Sequence, residues 1–259
     1  MPDATDDVRL NWPKETGVRV GLVLYLLLAA NVFAQDLSLG EPPNKLEKDE
    51  LRRAAKAMLA KDYRLAVQIF HVYAEKGAAW AQFRLGVRYM RGEGVEENKP
   101  LALAWFLKAA EQGVAYAQHD IGIIYSTGDG VPQDDAEALK WFRKAAALGL
   151  PDSENLIGWA YANGRGVEIG YSEARNWFSK AAEDNHPEAQ VSLGMMYCNG
   201  QAVAQDIVKC LMWLMIAEAN ESEPAKKLLT RARNWANTEQ IAKAKKAAED
   251  WQEALRTPQ

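Results

Sequence analysis

The sequence predicts an all-α protein, a solenoid of antiparallel helix pairs, and three observations carry that prediction. Glycines and aromatic residues recur every 36 residues along most of the chain. Between them, the apolar positions follow a helical period. Residues that cap helices or reverse the chain fall on the same spacing. A fixed period of this length marks a chain of stacked supersecondary units, each unable to bury its apolar face alone.

The period holds four times without an insertion. Gly86, Gly122, Gly158 and Gly194 form one series, and Tyr89, Tyr125, Tyr161 and Tyr197 a second. Trp105, Trp141, Trp177 and Trp213 form a third, with Ile69 at the matching place in the first unit. Phe70, Phe106, Phe142 and Phe178 follow directly, and Leu214 completes that series. Ala102, Trp105, Phe106, Ala109 and Ala110 lie at i, i+3, i+4, i+7 and i+8, one apolar stripe on a helix A. Ala117, Ile121, Ile124 and Tyr125 do the same for a helix B. Gly122 sits in the middle of helix B, where glycine costs about 1 kcal/mol relative to alanine. Its recurrence predicts a neighbouring helix packed against bare backbone.

Punctuation supports the same division. Asp62, Asn98, Asp134, Gly170 and Asp206 precede successive A helices as N-caps, and Asp134 with Glu137 has the form of a capping box. Gly77, Gly113, Gly149 and Asn185 mark the A-to-B turns, where a left-handed residue is needed. Pro151 and Pro187 open their B helices, a position that tolerates proline.

The B-to-A turns are Gly92-Glu93-Gly94, Gly128-Asp129-Gly130, Gly164-Arg165-Gly166 and Gly200-Gln201-Ala202. One such loop alone resembles a phosphate or calcium site. The middle residue runs acid, acid, base, amide, which excludes a ligand common to all four. The first glycine never varies, as expected for a helix that stops at positive φ. The second yields once to Ala202, which predicts a softer demand there.

The unit AWFLKAAEQGVAYAQHDIGIIYSTGDGV, residues 104–131, resembles the Sel1-like repeat, a longer relative of the tetratricopeptide repeat. The resemblance extends over about residues 62–230. It implies a right-handed α-solenoid, or superhelix, that binds other proteins. On this reading residues 62–97, 98–133, 134–169 and 170–205 are four repeats. Residues 206–236 are a divergent fifth, with Thr230 at the glycine position and Arg233 at the tyrosine position. Residues 35–61 supply a linker and an N-terminal capping helix. Residues 237–259 supply a C-terminal capping helix, N-capped by Thr238, and a tail.

Residues 20–34, VGLVLYLLLAANVFA, form an uncharged apolar run after Lys14 and Arg19, ending in a small-residue pattern at Ala34. It reads as a secretory signal peptide over residues 1–34, and alternatively as an anchor in the inner membrane. The expected location is periplasmic or secreted, with membrane contact only through this segment if it stays uncleaved. A formal charge of −4 on 259 residues lacks the basic excess of a dedicated nucleic-acid binder.

Chemistry-bearing residues are sparse. His71, His119 and His186 fall at unrelated places in the repeat, and no nucleophile, metal or phosphate-loop motif accompanies them. No cofactor and no catalytic residue is expected. Cys198 and Cys210 are twelve residues apart across a B-to-A turn, and bridge only if their Cα atoms approach within about 7 Å. The candidate partner surface is the concave face of the solenoid, lined by A-helix positions free of core duties. Gln68, Ala104, Lys140, Asn176 and Met212 hold one register there, and His71, Leu107, Arg143, Ser179 and Met215 the next. The expected function is a non-enzymatic scaffold, adaptor or regulator in a bacterial envelope, with a protein or peptide partner. The alternatives are a hydrolase or β-lactam-interacting relative, or a membrane-tethered subunit of a secretion or polysaccharide machine.

Overall fold

The computed structural model describes residues 45–256, which contain twelve α-helices and no strand. The apolar run at residues 20–34 lies outside the described residues. The chain divides into two compact units, residues 1–114 and 115–259.

The first unit holds α1 (Lys45–Leu59), α2 (Tyr63–Glu75), α3 (Ala79–Arg91) and α4 (Lys99–Glu111). They pack pairwise in sequence order, α3 against α4 most extensively. The core gathers Phe70, Tyr73, Leu85 and Trp105 with Ala54, Ala57 and Ala66. Arg88 is buried beside them, ion-paired with Glu93 and 5.6 Å from the Tyr63 ring centroid. Burial pushes its guanidinium pKa down, and the Glu93 carboxylate opposes that shift.

The second unit holds α5 (Ala115–Thr127), α6 (Asp135–Ala147), α7 (Pro151–Asn163) and α8 (Tyr171–Glu183). It continues with α9 (Pro187–Asn199), α10 (Ile207–Ala219), α11 (Glu223–Arg233) and α12 (Thr238–Arg256). Here too the broadest packing joins each helix B to the following helix A: α5 to α6, α7 to α8, α9 to α10.

The recurrent glycine explains that preference. A Cβ built on Gly86 would fall 2.7 Å from the Phe106 ring, and one on Gly158 2.7 Å from Phe178. One on Gly122 would overlap Phe142. In each case the aromatic belongs to the next helix A, so glycine and phenylalanine recur together as two halves of one contact. Large buried rings then supply most of the interface area.

The caps follow the sequence, with two corrections. Asp62, Asn98, Asp134 and Asp206 each accept a backbone N–H from the residue three positions on, at 2.9–3.1 Å. The reciprocal half of the Asp134 box is not made. Glu137 pairs instead with Lys140, and the Asp134 N–H is given to the Tyr125 carbonyl at 2.8 Å. The last helix is capped by Asn237 rather than Thr238. Asn237 Oδ1 accepts from Gln240 N–H at 2.9 Å, and Gln240 Oε1 accepts from Asn237 N–H at 3.0 Å. Asparagine with glutamine three residues on makes the full reciprocal box there, which a threonine one step later does not.

The second turn glycine is also stricter than expected. Gly94 and Gly166 have φ of 78° and 67°, and a Cβ on either would overlap the carbonyl of Tyr63 or Asp135 at the start of its own helix A. Ala202 takes φ 56° in the fourth turn. The turns at Gly94 and Gly166 are thus clamped onto the hairpins they close, while the fourth accepts the Cβ of Ala202. In the third turn Arg165 adds two bonds to the Asp135 carboxylate, at 2.7 and 2.9 Å.

Two periodic features had no part in the sequence reading. The carbonyls of Tyr89, Tyr125, Tyr161 and Tyr197 accept the N–H of the following N-cap residue at 2.8–3.0 Å. Gln82, Gln118, Glu154 and Gln190 form a buried polar series at the same spacing. Gln82 and Gln190 each donate to the end of the preceding helix A, at Ala74 and Ala182, over 3.2 Å. Glu154 cannot donate when ionised, and its carboxylate meets the Lys180 ammonium at 2.5 Å instead.

Candidate interaction surface

The candidate positions on the A helices range from exposed to half-buried. In the first unit Gln68 is exposed, and His71 and Leu107 are half-buried. The His71 ring lies 6.3 Å from the Trp105 ring, and its Nδ1 is 3.6 Å from Glu75. In the second unit Lys140, Arg143 and Asn176 are exposed, while Ser179 and Met212 are half-buried.

These polar side chains are braced rather than loose. Lys140 bonds Glu137 at 2.7 Å, which raises its pKa. Arg143 donates to the Tyr161 hydroxyl at 2.9 Å, with its guanidinium 6.0 Å from the ring centroid. Lys144 lies 3.6 Å from the Trp141 ring centroid and Lys180 5.8 Å from that of Trp177. Lys108 repeats the contact on Trp105 in the first unit, at 4.0 Å. The tryptophan series therefore does more than fill a core. It gives a lysine three residues on an aromatic face to lie across, holding the charge at the surface in a restricted set of rotamers.

The fifth tandem position differs. Helix α12 packs along α10, its Trp251 ring 5.5 Å from Trp213. Met212 and Met215 pack into the same apolar cluster as Ala248 and Trp251. One helix of the chain already occupies the outward register there.

The remaining candidates have structural partners. Cys198 and Cys210 are bonded, with Cα atoms 5.1 Å apart, and both are buried. The bridge ties the end of α9 to the start of α10. His186 caps α9, its Nδ1 accepting from Ala189 N–H at 3.2 Å. His119 Nδ1 lies 2.8 Å from Ser153 Oγ, and burial holds its imidazole pKa below the usual 6.5 although Asp152 opposes this. Ser153 is fully buried, so this pair offers no accessible nucleophile. Among the described residues no group of three or more His, Cys, Asp or Glu side chains is arranged to hold a metal ion. No described helix is long and apolar enough to cross a membrane.

Comparison with known proteins agrees with this architecture. The chain is similar to a protective antigen of uropathogenic Escherichia coli that displays an SLR fold, at 29% identity and a TM-score of 0.70. That match covers 86% of this chain but 48% of the antigen, so the chain spans about half of its length. A Sel1 repeat protein from Oxalobacter formigenes is similar at 28% identity and a TM-score of 0.67, covering 78% of this chain and 82% of that one. An immunity protein from Pseudomonas aeruginosa shares the fold at 20% identity and a TM-score of 0.51, over 83% of this chain and 86% of that one. No curated protein matches the chain. Residues 81–114, 115–150, 151–186 and 187–217 match the model of the Sel1 repeat. Those four segments take in more than half of the sequence, and the chain belongs to the Sel1 repeat family.

Proposed function

We propose that this protein is a non-enzymatic scaffold or adaptor of a bacterial cell envelope, which binds a protein partner on the outward face of its A helices. The single observation that carries the reading is the seat of α12. A helix of the chain itself rests on the outward register of α10, over Met212, Trp213 and Met215. The equivalent register of α6 and α8, with Lys140, Arg143, Asn176 and Ser179, is open to a helix or extended segment from another protein. Tryptophan, tyrosine and arginine are the residue types that dominate protein interfaces, and they converge here.

The envelope location draws support from the buried disulfide, which persists in oxidising compartments. Residues 1–34 act in this proposal as the export signal. The test is affinity capture with the full chain, repeated with Lys140→Glu and Arg143→Glu together. A partner retained by the native chain and lost from the double variant supports the assignment. An unchanged profile overturns it.

A further inference from the structure

The last repeat helix, α11, ends the stack on an open side. In each earlier repeat, helix B packs most broadly against the next helix A through its bare glycine. After α11 no helix among the described residues takes that place, because α12 turns back to lie along α10. The glycine position is filled by Thr230, which is exposed and bonds its hydroxyl to the Lys226 carbonyl at 3.0 Å.

That open side is strongly basic. Only Ala225, Leu229 and Ala232 of α11 are buried. Its solvent arc carries Lys226, Lys227, Arg231 and Arg233, all exposed. Among the described residues, none of the four lies within ion-pairing distance of a carboxylate. A cap that served solubility alone would mix both signs, as α12 does with its Lys243–Glu239 pair at 2.7 Å. Lys227 and Arg231 stand at i and i+4 on α11, and Trp235, two residues past the end of the helix, is 55% exposed. The carboxylates Glu218, Glu221 and Glu223 collect with Lys226 around a depression at the N-terminal end of the helix. The helix is therefore polarised along its length, with Lys226 among the acids at its start and Lys227, Arg231 and Arg233 free of them toward its end.

We propose that the solvent face of α11 binds anionic phospholipid headgroups, seating the end of the repeat array on a membrane surface. Lysine and arginine on a helix lying at an interface reach phosphate oxygens while their stems stay on the apolar side. Tryptophan settles at the headgroup level. An acidic protein is the poorer fit. Protein anchors need a concavity that desolvates them; the one at the start of α11 is lined by Glu218, Glu221 and Glu223, which would repel an acidic protein. The contact is separate from the outward face of the A helices, and it does not depend on residues 20–34.

The test is co-sedimentation of the full chain with vesicles of phosphatidylcholine alone and with vesicles containing phosphatidylglycerol. Binding to the neutral vesicles is the baseline, whatever residues 20–34 contribute to it. Phosphatidylglycerol should raise binding above that baseline, and added salt should remove the increment. Lys227→Glu with Arg231→Glu should lower the increment by at least about tenfold, since each cation near an anionic surface is worth roughly fivefold. Trp235→Ala should lower it by a few-fold. The control is Lys243→Glu with Lys246→Glu on α12, which makes the same change in net charge elsewhere. Circular dichroism confirms that each variant is folded. No increment with phosphatidylglycerol overturns the proposal. An equal loss in the α12 control also overturns it, because the attraction would then be a net-charge effect. Saturable binding to polyglutamate without vesicle binding assigns the face to an acidic protein and overturns it as well.

Discussion

The interface between α5 and α6 and the interface between α9 and α10 use the same repeat position in different ways. At the first, Gly122 receives the ring of Phe142, and a single added carbon would collide with it. At the second, Leu214 stands where the phenylalanine should be, and a Cβ on Gly194 would meet Leu214, Trp213 and the Cys210 carbonyl at 3.3 Å. The looser contact is also the one crossed by the disulfide. Cys198 and Cys210 replace Ser126 and Ala138, residues that form no covalent link at the equivalent places. One junction is held by shape and the other by a covalent link, and the repeat tolerates either.

The contrast is broken most severely at the covalent junction. Replacing Cys198 and Cys210 together with alanine should cost about 3 kcal/mol, the value expected for a closed loop of this size. Chemical denaturation of the variant against the oxidised native protein measures it. Reduction of the native protein should reproduce most of the loss, and a negligible loss would show that packing alone holds the junction.

A smaller effect tests the shape-held junction. Gly122→Ala should destabilise by about 2 kcal/mol, because overpacking against Phe142 outweighs the helical propensity of alanine. Gly194→Ala should fall within about 1 kcal/mol of neutral, since its neighbours need to give by only a few tenths of an ångström. Equal destabilisation at both positions in thermal melts would erase the distinction between the two junctions.

The smallest effect is a pH dependence at the shape-held junction. The His119 ring lies 5.8 Å from Phe142, and burial depresses its pKa in the folded state. The unfolded chain then binds the extra proton more readily. Stability is full above about pH 6.5 and declines as the pH falls below it. His119→Asn, which copies Asn155 of the next repeat, should remove that decline between pH 7 and pH 5. A native protein and variant that lose stability in parallel over this range would contradict the assignment.

Much of this was readable from the chain before any coordinates. The glycine and phenylalanine series are hard constraints, because one added carbon at Gly122 is intolerable, and hard constraints leave an exact period. The N-cap aspartates show for the same reason: few residue types accept those N–H groups. The tyrosine carbonyls left no trace, since every residue carries a carbonyl. The buried series Gln82, Gln118, Glu154 and Gln190 was visible as a period, but a polar residue on an amphipathic helix reads as surface until its partner is known. The seat of α12 was not legible at all. Its apolar stripe states that it packs, and only the open side of α11 states that it packs elsewhere. The bridging of the cysteines depended on a distance across the turn, fixed by backbone geometry at Gly200 and Ala202 rather than by sequence spacing.

The bond from each tyrosine carbonyl to the next N-cap has a consequence for inheritance. Every such junction is closed by the same backbone groups, whatever the side chains around it. A segment of 36 residues can therefore be duplicated or lost between two tyrosines and leave an equivalent closure behind. Tyr125 would meet Gly170 as readily as it meets Asp134. The tyrosine position is thus the place where one repeat can be exchanged for another, and the series stops at Arg233.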